Sequence, residues 1–211
     1  MLPHRRQPHR LDQGLRPPIP PAERRDWTWS EFVLLPDDDK RELIDGRLLE
    51  VDAPTELHEH IVVEIIGALG LWSRANDGCV LASGYKIKVS DRRGIMPDVQ
   101  YFRPGCQPAQ QGLAVGAPDL AVEVISPTSA RYDRVTKLEW YRSIGTPEHW
   151  IVDPESRAVQ AFVLHDGHWL LREHVALPEP DEEPATQAVM FRPTTFSGVE
   201  IDLERLFAVP E

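Results

Sequence analysis

Only two cysteines, Cys79 and Cys106, occur in the 211 residues, and they lie far apart. Neither has a neighbour at metal-type spacing, so the sequence offers neither a disulfide framework nor a cysteine-based zinc centre. The histidines likewise show no zinc-ligand spacing. No apolar run approaches the roughly 18 residues that a membrane-spanning helix requires. The N-terminal segment lacks the apolar core of an export signal, so a cytoplasmic protein with two free thiols is expected. Basic residues are also in short supply: 23 Lys and Arg stand against 34 Asp and Glu, a net charge of -11. That balance argues against tight sequence-specific nucleic-acid binding, although a local basic patch on an acidic body can still hold DNA in a salt-sensitive way. There is no internal repeat, zinc finger, recognition helix, methyltransferase module or helicase module, so no target sequence can be read.

What remains is 41% hydrophobic and 27% charged, a composition that suits one globular domain. Residues 1–25 hold six prolines and six arginines against Asp12 and Glu23, a local charge of +4 that leaves -15 for the rest. They read as a disordered or extended tail, either a plain solvated extension or a basic arm for a polyanion. The folded domain is expected over 26–211. Residues 28–33 suggest a short helix capped by Thr28 or Ser30. Asp45-Gly46 between two apolar runs predicts a hairpin. Leu57, Ile61, Val62, Ile65, Ile66, Leu69 and Trp72 form one helical stripe. Strands are expected at 79–89, with Tyr85, Ile87 and Val89 on one face, and at 97–103 and 119–126. A helix follows at 130–144 with Val135, Leu138, Tyr141 and Ile144 to one side. Further strands are expected at 148–153, 157–164 and 169–175, then a short terminal helix. The loops at 104–117 and 178–185 are Gly/Pro/Gln-rich and acidic, respectively. The order predicts an α/β (α+β) fold, a mixed central sheet flanked by helices.

One acid interrupts the most apolar stretch. In Leu120-Ala121-Val122-Glu123-Val124-Ile125, Leu120, Val122 and Val124 point one way, and Ala121, Glu123 and Ile125 the other. Covered on both sides, the sheet would enclose Glu123, at a cost unless the charge is compensated. The plainer reading is a strand-end Glu, partly solvated or paired with an arginine. Asp98, after Pro97 at the head of its strand, reads alone as a turn aspartate. Together the two acids offer hard oxygen ligands for Mg²⁺, and the Val124 carbonyl can add another. Lys137 and Tyr141, four apart, share a helix face. Lys137 has Asp133 as a local ion-pair partner, or it reaches back over the sheet end to orient a water or stabilise phosphate charge.

This ordered set resembles the Uma-two family of the PD-(D/E)xK superfamily. The resemblance runs through Arg41-Glu42-Leu43-Ile44-Asp45-Gly46, Pro97-Asp98, Glu123-Val124-Ile125-Ser126-Pro127, Asp133, Lys137 to Tyr141, Trp150-Ile151-Val152-Asp153-Pro154 and Phe196 to Leu203, over about residues 27–207. It implies a restriction-endonuclease-like core and metal ligation by Asp98 and Glu123. Ile125 stands where the superfamily pattern has lysine, and the resemblance implies that Lys137 replaces it from the next helix. Glu42 matches an acidic position near the site. His58 resembles a family position close to phosphate or water, and otherwise caps its helix, while His60 is solvated.

The expected function is hydrolysis of DNA phosphodiesters with Mg²⁺ or Mn²⁺. Asp98, Glu123 and Val124 would hold the metal, and Lys137, Glu42 and His58 complete the site. Lys86, Lys88, Arg131 and Arg134 are either phosphate contacts or solvated surface residues. DNA is the expected partner, without membrane, and cutting both strands favours a homodimer with two sites. Two rivals stand beside this: a non-catalytic nucleic-acid-binding or protein-interaction module on a nuclease fold, and a hydrolase of a smaller phosphate ester.

Overall fold

The computed structural model describes residues 24–36, 39–50, 53–82, 84–105, 116–127, 129–179 and 187–208. Most of the expected tail, the body of the 104–117 loop with Cys106, and most of the acidic loop lie outside the described residues.

Local sequence explains the elements in turn. Helix α1 (Trp29–Phe32) is opened by Thr28, whose backbone N–H donates to the Glu31 carboxylate at 3.0 Å. Strands β1 (Glu42–Ile44) and β2 (Arg47–Leu49) turn on Asp45 and Gly46, both at positive φ (50° and 81°), as a two-residue hairpin demands. Helix α2 (Glu56–Ala75) begins at Thr55, whose hydroxyl accepts from the His58 N–H at 3.2 Å. Then come β3 (Cys79–Ala82), β4 (Ile87–Ser90), β5 (Arg93–Ile95), β6 (Val99–Phe102) and β7 (Leu120–Val124). A π-helical turn, Tyr132–Lys137, runs into α3 (Leu138–Ile144), which stops at Gly145 in the left-handed region. Strands β8 (Glu148–Asp153), β9 (Ala158–His165) and β10 (His168–Ala176) form a meander, and β11 (Met190–Phe191), β12 (Ile201–Asp202) and α4 (Leu203–Leu206) finish the chain.

The main sheet has the order β10-β9-β8-β7-β6-β3, with β7 and β8 parallel and the other pairs antiparallel. A second sheet, β2-β1-β5-β4, lies against it. Alternation along β7 divides the core as the period-2 pattern predicts. Leu120, Val122 and Val124 pack with Ile61, Val62, Ile65 and Leu69 of α2 and with Phe196 and Leu203. Ala121 packs on the opposite face with Ile87, Ile95, Trp140 and Tyr141. Glu123 on that second face is thus roofed by the helix and by the second sheet. Among the described residues, no helix is long and apolar enough to cross a membrane.

Two expectations fail for physical reasons. Residues 79–89 are two strands in different sheets. The chain changes sheet at Lys86, which is buried and donates to the carbonyls of Phe32 and Leu35 at 3.1 and 3.4 Å, so it ties α1 down and offers nothing to phosphate. Val135 is 61% exposed, because the π-helical turn breaks the 3.6-residue phase and turns Asp133 and Lys137 inward instead.

Candidate active site

Glu123 is 2% exposed at the centre of the main sheet. Its two oxygens are engaged by the helix above: Lys137 Nζ donates to Oε2 at 2.8 Å, and the Tyr141 hydroxyl donates to Oε1 at 2.5 Å. The i, i+4 spacing of Lys137 and Tyr141 puts both donors on one carboxylate. The strand-end and arginine-paired readings of Glu123 are thereby replaced by a buried pair with lysine.

Lys137 serves more than one acid. Its ammonium lies 3.2 Å from Glu42 Oε1 and 3.4 Å from Asp133 Oδ1, so the expected local pair with Asp133 is present but longer than the contact with Glu123. Glu42 arrives from β1 of the second sheet, 1% exposed, and Oε1 also accepts from the Met96 N–H at 3.1 Å. Its Oε2 has no hydrogen-bond partner among the described residues. Asp133 is braced by the Ser129 hydroxyl.

Asp98 caps the open end of β6. Its N–H donates to the Val122 carbonyl at 3.1 Å, which seats it beside Glu123 across the strand pair. Its Oδ2 accepts from the Val124 N–H at 2.8 Å and lies 3.3 Å from His58 Nε2. The N–H and C=O of one strand residue point to the same side. The Val124 carbonyl therefore faces the gap where β6 has not yet begun, and it also acts on the His58 ring. His58 is consequently no cap by its side chain; the ring reaches the acid while Thr55 caps the helix. His60 is tied to the Arg205 carbonyl at 3.0 Å, not left to solvent. Asp98 and His58 side chains are 18% and 16% exposed, against 3% and 5% for Glu123 and Lys137, so the site opens to solvent on the Asp98 side.

The electrostatics follow from one cation shared among several acids. Burial raises the Glu123 carboxyl well above its ordinary range; Lys137 opposes this, while Asp98, Asp133 and Glu42 add to it. Burial disfavours the Lys137 charge, but Glu123, Glu42 and Asp133 together hold the ammonium well above its ordinary value. Lys137 is therefore a fixed cation and not a base. Burial opposes the His58 imidazolium, but Asp98, Glu59 and the Val124 carbonyl prevail and raise it. Behind Tyr141, at 4.8 Å between rings, His149 is pushed down to about 3 by burial.

Four acidic side chains thus face Lys137 and His58, more acids than cations, an imbalance that hard cations suit. Asp98, Glu123 and the Val124 carbonyl are the oxygen donors here that could hold Mg²⁺ or Mn²⁺. No group of three or more His, Cys, Asp or Glu side chains among the described residues is arranged to hold a metal. Of the flanking bases, Lys88 pairs with Asp91 at 2.6 Å and Arg134 with Asp153 at 2.5 Å. Tyr141, whose spacing from Lys137 was visible, and Tyr132, half-buried beside Glu42, enter the site without having been assigned roles from sequence. Tyr132 could not have been placed, because the π-helical turn that aims it has no sequence signature.

Residues 29–194 match the model of the Uma2 family, described as "putative restriction endonuclease". The crystal structure of a "putative nuclease belonging to DUF820" from Anabaena variabilis is similar, with a TM-score of 0.65 over 85% of this chain and 97% of that one. The two sequences are 19% identical, so the likeness is one of fold. No curated protein matches the chain. With the family match spanning residues 29–194, most of its length, the chain belongs to the Uma2 family and has a mixed α/β fold.

Proposed function

We propose that the protein is a metal-dependent endonuclease that hydrolyses DNA phosphodiester bonds. The observation that carries this is the buried Glu123–Lys137 contact of 2.8 Å inside an excess of carboxylates, with Asp98 at the open rim. Asp98, Glu123 and the Val124 carbonyl would hold Mg²⁺ or Mn²⁺. Bound there, such an ion lowers the pKa of water and polarises a phosphoryl oxygen. Lys137, held charged by three carboxylates, orients the attacking water and offsets charge developing on the phosphate. Tyr141 fixes the Glu123 rotamer, Glu42 anchors the ammonium from the second sheet, and His58 keeps Asp98 oriented at the entrance.

A nicking assay on supercoiled DNA with a panel of Mg²⁺, Mn²⁺ and Ca²⁺ tests this. Wild-type protein should nick with Mg²⁺ or Mn²⁺, and Asp98→Ala and Glu123→Gln should each lose at least about 10²-fold, the range for removing a transition-state charge stabiliser. Equal nicking by both variants would sink the assignment. A second reading, a non-catalytic binding module, is favoured by one observation: both Glu123 oxygens already have protein donors. Metal-independent DNA binding without cleavage, unchanged in Glu123→Gln, would establish that reading instead.

A further inference from the structure

Helix α2 buries one face on the main sheet, and Arg205 of α4 reaches its flank, where its carbonyl meets His60 at 3.0 Å and its guanidinium pairs with Glu64 at 2.8 Å. Beside these contacts Val63 and Leu71 are 62% and 70% exposed. They stand eight residues apart, with Gly67 midway, on one stripe of the helix. Beside Leu71 runs an open groove of about 370 Å³ lined by Ala68, Trp72, Gly198, Val199 and the charged Glu200.

The glycines sharpen the point. Gly67 and Gly70 sit in the middle of a 20-residue helix, where glycine is the poorest residue after proline. A Cβ at either position would meet nothing within 4 Å. The space over both glycines is open, which leaves room for the close approach of a second helix. The stripe is also charged in a directional way. Glu56 and Glu59 lie at its N-terminal end and Arg74 at its C-terminal end, and neither Glu59 nor Arg74 forms an ion pair among the described residues. An antiparallel copy crossing at Gly67 sets Val63 opposite the partner Leu71, and Glu59 beside the partner Arg74.

We propose that this face of α2 is the interface between two copies of the chain, packed antiparallel about Gly67 in an isologous dimer. The contact leaves the mouth of the candidate site, at Asp98, outside the stripe, and it does not depend on the proposed chemistry. Each copy contributes the same apolar pair, the same glycines and both signs of charge. The local complementarity acts against the repulsion expected between two chains of net charge -11.

Sedimentation equilibrium of the full chain at tens of micromolar tests this. Wild type should give twice the 24.0 kDa chain mass, and Leu71→Glu and Gly67→Leu should each give 24.0 kDa with unchanged circular dichroism. Glu59→Arg and Arg74→Glu should each weaken the dimer severalfold, and the double swap should restore it. A wild-type monomer at these concentrations overturns the proposal. So does a dimer that survives both Leu71→Glu and Gly67→Leu. A dimer lost on removing residues 1–23 but kept in Leu71→Glu assigns the association to that segment, and also overturns it.

Discussion

At the scale of single residues, the site is governed by the ratio of acids to cations. Lys137 is the one ammonium among Glu123, Glu42 and Asp133. Removing it leaves buried carboxylates without compensation, a loss of about 3–5 kcal/mol when a buried pair is broken from one side. Lys137→Met should therefore lower the unfolding free energy measured by urea titration by that amount. Glu42→Gln keeps an acceptor for Lys137 and the Met96 N–H while removing one excess charge, so its stability should equal or exceed wild type. A Glu42→Gln variant as unstable as Lys137→Met would show that the acid is not in excess. His58 provides a pH signature in metal-free protein. Its folded pKa is raised above 6.5, so its stabilisation is fully present below that value and is lost as pH rises through the folded pKa. The melting-temperature gap between wild type and His58→Gln should shrink from pH 6 to pH 8.5. A gap constant across that range would mean that Asp98 does not hold the ring.

At the scale of elements, the readable parts were those whose signal is local. The Asp45-Gly46 turn, the α2 stripe and the two faces of β7 depend on backbone sterics and burial period, and the structure has them all. The change of sheet at Lys86 and the π-helical turn depend on partners far along the chain, and no window of sequence contains them. Strand β5 is a clear example. Arg93-Gly94-Ile95 is too short to show a period, and its place is set by contact with α1. A Cβ on Gly94 would sit 2.7 Å from the Trp29 ring and 2.8 Å from the Phe32 ring, and Leu43 pairs with it across the ladder. Both rings would have to move, so Gly94→Ala should cost about 1–3 kcal/mol, the range for overpacking, in a chemical-denaturation experiment. A neutral effect would mean that α1 is free to lift from β5.

At the scale of the whole molecule, the site is a junction. The main sheet supplies Asp98 and Glu123, the second sheet Glu42, the crossover between β7 and β8 supplies Lys137 and Tyr141, and α2 supplies His58. Asp98, Glu123 and Lys137 were legible because their order along the chain matches a family pattern. The convergence of Glu42 on the same ammonium required the second sheet to fold against the first. This junction also bears on how a metal would be distinguished from the general pull of an acidic protein on cations. With a net charge of -11, any divalent ion at high concentration will screen the surface and raise stability slightly. A specific site adds an increment that begins near Kd and grows with the logarithm of the ion concentration, about 2.7 kcal/mol at 100 times Kd. For a domain of this size that is about 5–10 °C in Tm. Mn²⁺ should therefore raise the Tm of wild type by that increment at low concentration and then logarithmically, while Asp98→Ala and Glu123→Gln retain only the shallow rise seen at high concentration. Identical curves for all three proteins would place the bound ions on the surface and remove the metal from the proposed chemistry.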